Sequence, residues 1–174
     1  MEWLKHLVIH KTHRGVLSNG LKHGTRIRFE PDGMLEYFEG KKHGKYYQYN
    51  SAGNIFFIEN YYLDRKHGKQ ILYYYLGNQQ WREDNFEHGK EHGIQLSWNF
   101  DGQLKFKEVH DCTADTHVQY KMYNNQIIGE ANYKNHKLHG VQRKWYDNGQ
   151  LEYELNYSNG LKHGVQKNGG LMGN

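Results

Sequence analysis

The chain has 174 residues, of which 36% are hydrophobic and 15% aromatic, and its 23 basic and 19 acidic residues give a net charge of +4. The high aromatic content and small net charge exclude a disordered protein, because disordered chains are poor in aromatics and strongly charged. The single cysteine, Cys112, excludes a framework of internal disulfides. With no signal peptide or transmembrane stretch in the sequence, we expect a cytoplasmic protein.

The N-terminal segment, residues 1–12, differs in pattern from all that follows. Trp3, Leu4, Leu7 and Val8 would share one face of a short helix. We therefore expect this segment to cover the first end of the structure as an N-terminal cap.

From residue 13 onward the chain is repetitive. A His-Gly dipeptide, or His117-Val118 in one place, recurs every 20 to 25 residues. A period of this length indicates one supersecondary unit per repeat, which buries surface only by stacking on its neighbours. The sequence thus predicts one array of about seven units over residues 13–170, followed by a tail at 171–174. The repeat-defining pairs are His23-Gly24, His43-Gly44, His67-Gly68, His92-Gly93, His139-Gly140 and His163-Gly164.

Each unit has the pattern of a β-hairpin. Apolar residues alternate with polar ones such as Gln70, Gln95 and Gln142, which is typical of a strand with one buried face. Glycines flanked by Asp or Asn then provide the positive φ of tight turns. The apolar positions include a column of aromatic residues predicted to form the core, namely Phe29, Tyr49, Tyr73, Trp98, Tyr123 and Trp145.

The predicted fold is all-β: an open antiparallel meander of tandem hairpins that forms an elongated, twisted single-sheet ribbon. The apolar alternation before the aromatic column includes Ile27, Tyr47, Ile71 and Leu96, and then lapses at Lys121 and Arg143. In the last unit Gly169 occupies the aromatic position, which indicates a C-terminal cap.

The succession of His-Gly, an aromatic residue, Asn-Gly or Asp-Gly with Leu, and Tyr-x-Asn-Gly-x-Lys-His-Gly resembles the MORN repeat, especially its longer bacterial variant. Residues 137–151 match best, the likeness covers about residues 13–170, and it is poorest between Val109 and Asn125. The resemblance implies a non-enzymatic interaction scaffold with no catalytic residues and no cofactor. Some eukaryotic members look like phosphoinositide-binding modules, and some bacterial members are labelled antitoxins.

The 13 histidines raise the question of a metal. Equivalent positions in successive hairpins lie two strand spacings apart, roughly 9 to 10 Å. Two imidazoles on one zinc ion must each come within about 2.0 to 2.1 Å of it. We therefore interpret the repeated histidines as structural, packing or hydrogen-bonding where units meet.

The weakest repeat offers one sharper metal hypothesis. On a strand Glu108, His110 and Cys112 would point the same way, and His117 could return across the turn. Thiolate, imidazole and carboxylate suit zinc, and cysteine beside histidine also suits nucleophilic catalysis. A degenerate turn explains the same residues without chemistry and is the favoured interpretation, with His110, Cys112 and His117 kept as metal candidates.

Four functions follow from these observations. The first is a scaffold that binds a protein partner, and the second is peripheral binding to anionic lipid. The third is an antitoxin that neutralises a partner toxin, and the fourth is a metal-binding protein. The lipid hypothesis depends on the recurring Lys22, Lys42, Lys66 and Lys162. We expect no nucleic-acid or small-molecule ligand, because charges of both signs are interleaved and the alternation already accounts for the aromatics.

Overall fold

The computed structural model describes residues 24–27, 34–75 and 79–169. These residues form one 16-stranded antiparallel sheet and contain no helix, which confirms the predicted all-β open meander. The expected N-terminal cap at 1–12, the tail at 171–174, Lys22, His23 and Phe29 lie outside the described residues.

The strands follow one another with short connections. In chain order they are β1 (Gly24–Ile27), β2 (Met34–Phe38), β3 (Lys41–Tyr49), β4 (Ile55–Tyr62), β5 (Arg65–Lys66), β6 (Gly68–Tyr73), β7 (Gln80–Glu87), β8 (Lys90–Glu91), β9 (Gly93–Trp98), β10 (Leu104–Asp111), β11 (Thr116–Tyr123), β12 (Gln126–Lys134), β13 (Lys137–Trp145), β14 (Leu151–Ser158), β15 (Leu161–Lys162) and β16 (Lys167–Asn168). The long strands pair in this order, while the short β5, β8 and β16 pair with β4, β7 and β14. Every neighbour in the sheet is therefore also a near neighbour in sequence.

Two kinds of turn join the strands. In the turn between β13 and β14, Gly149 has φ +82° and its N–H donates to Tyr146 O at 2.9 Å. Between β11 and β12, where the sequence lacks this glycine, Asn124 and Asn125 form a two-residue turn with φ of 47° and 61°. Asparagine tolerates this left-handed conformation better than most residues, so the shortened turn keeps the hairpin intact.

Residues that pair across the strands lie side by side on one face of the sheet. We call the side of the sheet that contains a groove the concave face; from β9 to β14 its residues in register are Gln95, Glu108, Gln119, Ala131, Gln142 and Leu155. On the opposite face a single row runs through Tyr47, Ile58, Ile71, Glu83, Leu96, Lys107, Tyr120, Glu130, Arg143, Glu154 and Lys167. This row changes from apolar to charged residues along the array.

Burial in this sheet differs from the sequence expectation. No hydrophobic side chain among the described residues is fully buried, and the buried residues are Glu59, Gln70, Asp84, Gln95 and Gln142. All five lie on the concave face. A single sheet has no second layer to cover its apolar side chains, so the most enclosed positions are those beside the backbone.

The predicted aromatic column is a half-buried stripe. Tyr73, Trp98 and Trp145 are partly covered, whereas Tyr49 is 38% and Tyr123 50% exposed. Tyr123 is exposed because it pairs with Gln126 at the turn itself. Met122, which pairs with Ile127 one position further from the turn, occupies the place that the aromatic residue has in other units.

Candidate binding surface

Buried glutamines close a bulge at three of the His-Gly dipeptides, those of His67, His92 and His139. At the bulge between β12 and β13, Ala131 pairs with Gln142 and Tyr133 with Leu138, so that three residues of β13 face Asn132 alone. The Gln142 side chain fills the gap: its Oε1 accepts from Asn132 N–H at 3.0 Å, and its Nε2 donates to Asn132 O at 2.9 Å. The side-chain amide thereby replaces the missing strand partner of a buried backbone.

The same arrangement recurs in two other units. Gln70 accepts from Asn60 N–H at 2.9 Å and donates to Asn60 O at 3.1 Å. Gln95 makes the corresponding bonds to Asn85 at 2.5 and 2.9 Å. Period-two alternation assigns these glutamines to the polar side of an ordinary strand and does not predict their role at the bulge. Asn seven residues before His-Gly and Gln two residues after it would have been the signal.

The histidines of the repeat connect each unit to the next one. His139 Nδ1 accepts a hydrogen bond from Asn159 N–H at 3.4 Å, and His92 Nδ1 accepts one from Cys112 N–H at 3.4 Å. His67 Nδ1 accepts in the same way from His88 N–H at 3.5 Å. The glycine that follows allows the bend, as at Gly140 with φ +85°.

The first complete units pack these histidines against aromatic rings. His43 lies between Phe38 and Tyr62, with ring centroids 5.7 and 5.2 Å away. Tyr62 also contacts His67 at 5.7 Å. His43 Nδ1 is buried and has no hydrogen-bond partner among the described residues. These rings lie along the turns that come just before each repeat histidine, such as Leu63-Asp64 between β4 and β5, which we call the second turns. We call this row of rings the histidine edge.

The fifth unit lacks the bulge because Val118 replaces the glycine. Strands β10 and β11 pair without interruption from Phe106–Lys121 to Asp111–Thr116. This places Tyr120 in the row of the opposite face, and it places Lys121 on the concave face beside Phe106. The lapse at Lys121 in the apolar alternation is therefore a change of register by one residue.

The same register stacks the two histidines of the fifth unit. His110 and His117 are direct cross-strand partners with ring centroids 4.7 Å apart and nearly parallel planes, and His117 stacks on Tyr133 at 4.4 Å. Burial, together with the neighbouring His110, lowers the pKa of His117 below its usual 6.5. Burial raises the pKa of Glu108, but hydrogen bonds from His110 and Gln119 outweigh it and leave that pKa lowered.

The potential metal ligands nearest to Cys112 differ from the candidates named from the sequence, His110 and His117. Among the described residues, one set of three side chains offers metal-ligand atoms within 4.8 Å of one another, and it consists of Glu87, His92 and Cys112. His110 and His117 are not part of this set. The pattern around Cys112 does not predict Glu87 and His92 as its neighbours, because they belong to the preceding unit, 25 and 20 residues before the cysteine.

The concave face contains a groove of about 390 Å³ between β10 and β14. Its apolar lining includes Phe106, Leu138, Tyr153, Leu155 and Tyr157, and its cations on the concave face are Lys121 and Lys144.

Carboxylates neutralise Lys144 in the groove and Arg143 on the opposite face of the same strand. Arg143 pairs with Glu130 at 3.1 Å and Glu154 at 2.9 Å, and Lys144 pairs with Glu152 at 2.7 Å. Arg143 and Lys167 hold the pKa of Glu154 below its usual range. Within the described chain Lys121 has no carboxylate partner, so it is the cation that the groove offers to a ligand.

Two of the recurring lysines are engaged within the sheet. Lys66 Nζ lies 2.9 Å from Glu59 Oε1 and 5.4 Å from the centre of the Phe86 ring. Lys42 Nζ lies 4.9 Å from the centre of the Tyr61 ring. Lys162 is exposed. The described lysines therefore do not form a continuous free basic edge.

A MORN repeat variant model matches residues 138–159, which comprise most of β13, all of β14 and the glycine turn between them. The chain contains a MORN repeat variant. The match confirms the MORN resemblance over these residues, and the bulges at Gln70 and Gln95 show the geometry of the matched unit in two further places. No curated protein sequence is significantly similar to this chain. In the described part of the chain there is no helix long and apolar enough to cross a membrane.

Proposed function

We propose that this protein is a non-enzymatic MORN-repeat scaffold that binds a protein partner in the concave groove between β10 and β14. The observation that carries the proposal is the groove itself, which combines apolar side chains with one unneutralised cation. Repeat arrays of this kind expose long faces rather than a single deep pocket, and such faces suit elongated partners.

The lining also suggests the chemistry of the partner. Tyr153, Leu155 and Tyr157 give a half-buried apolar floor along β14. Lys121 extends beside Phe106 at the end of the groove formed by β10 and β11. A partner segment that fits would present an acidic side chain next to apolar or aromatic ones, because opposite charges across an interface favour both encounter and register.

The proposal is tested by charge reversal at the groove. We expect Lys121→Glu to reduce recovery of a stoichiometric partner from the source cell by about tenfold, since a like charge would then face the partner's carboxylate. Lys107→Glu is the matched control, because Lys107 lies on neighbouring β10 but on the opposite face. Quantitative affinity purification with both variants gives the readout.

Other outcomes of this experiment would replace the proposal. If both variants reduced recovery of the partner equally, or if neither reduced it, the partner would bind outside the groove. If the wild-type chain instead bound vesicles containing anionic lipid and captured no protein, the lipid hypothesis would take its place. If the captured partner were a toxin that the chain neutralises, the scaffold would be an antitoxin.

A further inference from the structure

We propose that Glu87, His92 and Cys112 form a zinc-binding site at the histidine edge, where the fourth unit meets the fifth. Their ligand atoms lie within 4.8 Å of one another, and Glu87 Oε2 is 3.7 Å from His92 Nε2. This function is separate from partner binding in the concave groove.

The repeat architecture itself brings these three side chains together. Glu87 is five residues before the repeat histidine, His92 is that histidine, and Cys112 is the turn residue whose N–H donates to His92 Nδ1 at 3.4 Å. The corresponding sets are Tyr62, His67 and His88 in one unit, and Lys134, His139 and Asn159 in another. Of these three sets, only the one at the fourth unit has a metal-ligating side chain at every position.

The spacing that separates equivalent histidines does not apply to this set. Two repeat histidines are about two strand spacings apart, too far to share one ion. Glu87, His92 and Cys112 instead occupy three different positions: the end of β7, the bulge before β9 and the turn after β10. The second turn of one unit stacks against that of the next, and this contact brings the three positions together.

The donor set fits zinc better than harder cations. A thiolate favours zinc over magnesium or calcium, and imidazole and carboxylate are both ordinary zinc ligands. Three protein ligands leave a fourth, tetrahedral position for water. On binding, the Cys112 thiol loses its proton to solvent, so the affinity rises with pH.

Metal binding also changes a hydrogen bond that the structure shows. His92 Nδ1 now accepts the N–H of Cys112. If the ion binds Nδ1, that lone pair is taken; if it binds Nε2, the neutral ring carries its proton on Nδ1. Either way the Cys112 N–H loses its acceptor, which gives an observable independent of the metal's own signal.

The test is a titration of the reduced full-length chain with Co²⁺, which reports thiolate ligation by a near-ultraviolet charge-transfer band. We expect one equivalent to produce this band, Zn²⁺ to displace it, and the Cys112 amide resonance to shift in NMR spectra of the zinc-bound chain. Cys112→Ser abolishes the band, and Glu87→Gln weakens Zn²⁺ binding, measured by calorimetry, by about tenfold or more.

The matched control is His139→Asn, which alters the equivalent histidine of a unit whose neighbours are Lys134 and Asn159. This variant retains the band and the affinity. Glu87 is exposed, so Glu87→Gln leaves the fold intact and keeps the test decisive if another variant unfolds. A wild-type chain without the band, or Zn²⁺ binding that Cys112→Ser and Glu87→Gln leave unchanged, would overturn the proposal.

Discussion

At the scale of single residues, the fold depends on polar side chains placed where a globular protein would have apolar ones. Gln70 is 1% exposed, and both ends of its amide bond the backbone of Asn60. A buried backbone N–H or C=O without a partner costs about 1–3 kcal/mol, so each such glutamine prevents a loss of stability at its bulge. The bulges at Gln70, Gln95 and Gln142 therefore require glutamine for its hydrogen-bonding geometry, and a merely polar residue would not suffice.

This role predicts a stability difference between two equivalent glutamines. Gln70→Leu should lower the free energy of unfolding by about 2 kcal/mol, because the Asn60 N–H loses its acceptor, whereas Asn60 O keeps the bond from His67 N–H at 3.0 Å. Gln166→Leu is the control, since Gln166 is exposed and bonds Asn156 O only at 3.5 Å; its cost should be below about 0.5 kcal/mol. Urea unfolding measures both, and equal costs would contradict the proposed role of the buried amide.

At the scale of secondary-structure elements, the sequence predicts the hairpins but not how each one is modified. Alternation and turn glycines are local signals, so strands such as β13 and β14 and the turn at Gly149 follow directly from them. The bulge is a two-strand feature that pairs Asn132 with a glutamine ten residues later, and a count along one strand does not reveal it. For the same reason the count from His117 assigns Tyr123 to the aromatic column, although the missing bulge moves Met122 there.

The hairpin of β10 and β11 predicts a pH dependence that belongs to His117. Its pKa is lowered in the folded chain, chiefly by burial, so the unfolded chain binds more protons just below pH 6.5. The contribution of neutral His117 to the free energy of unfolding is therefore complete above pH 6.5. It decreases as the pH falls from 6.5 through the lower pKa of the folded chain. His117→Phe retains a ring that stacks on Tyr133 but does not titrate, so it should lose this part of the acid sensitivity.

Urea midpoints at pH 7.5 and pH 5 for both chains provide the measurement. The wild-type midpoint should fall further between the two pH values than that of His117→Phe. His163→Phe, at an exposed repeat histidine in the last unit, should match the wild type. If the urea midpoint of the wild type changed with pH as much as that of His117→Phe, then His117 would not contribute to the pH dependence of stability.

At the scale of the whole molecule, contacts between neighbouring units stabilise the sheet, because no hydrophobic side chain in the described part of the chain is fully buried. The histidine-to-turn bonds join units one step apart, such as His92 to Cys112 and His139 to Asn159. These junctions also bring Glu87 and His92 next to Cys112, a set that no single repeat contains. The sequence shows that units stack, whereas the identity of the side chains that meet at a junction requires the register of two consecutive units.

Nearest-neighbour stabilisation predicts that local damage spreads only a limited distance. Gln95→Leu in the middle of the array should reduce amide hydrogen-exchange protection most in β7, β9 and β10, and progressively less in hairpins further away. Gln142→Leu should reduce it mainly from β12 to β14. Native-state hydrogen exchange on both variants distinguishes this gradient from a single cooperative unit, in which either substitution would lower the protection of all slowly exchanging amides equally. A gradient would mean that the groove between β10 and β14 is destabilised by Gln142→Leu and largely retained when β3 or β4 is altered.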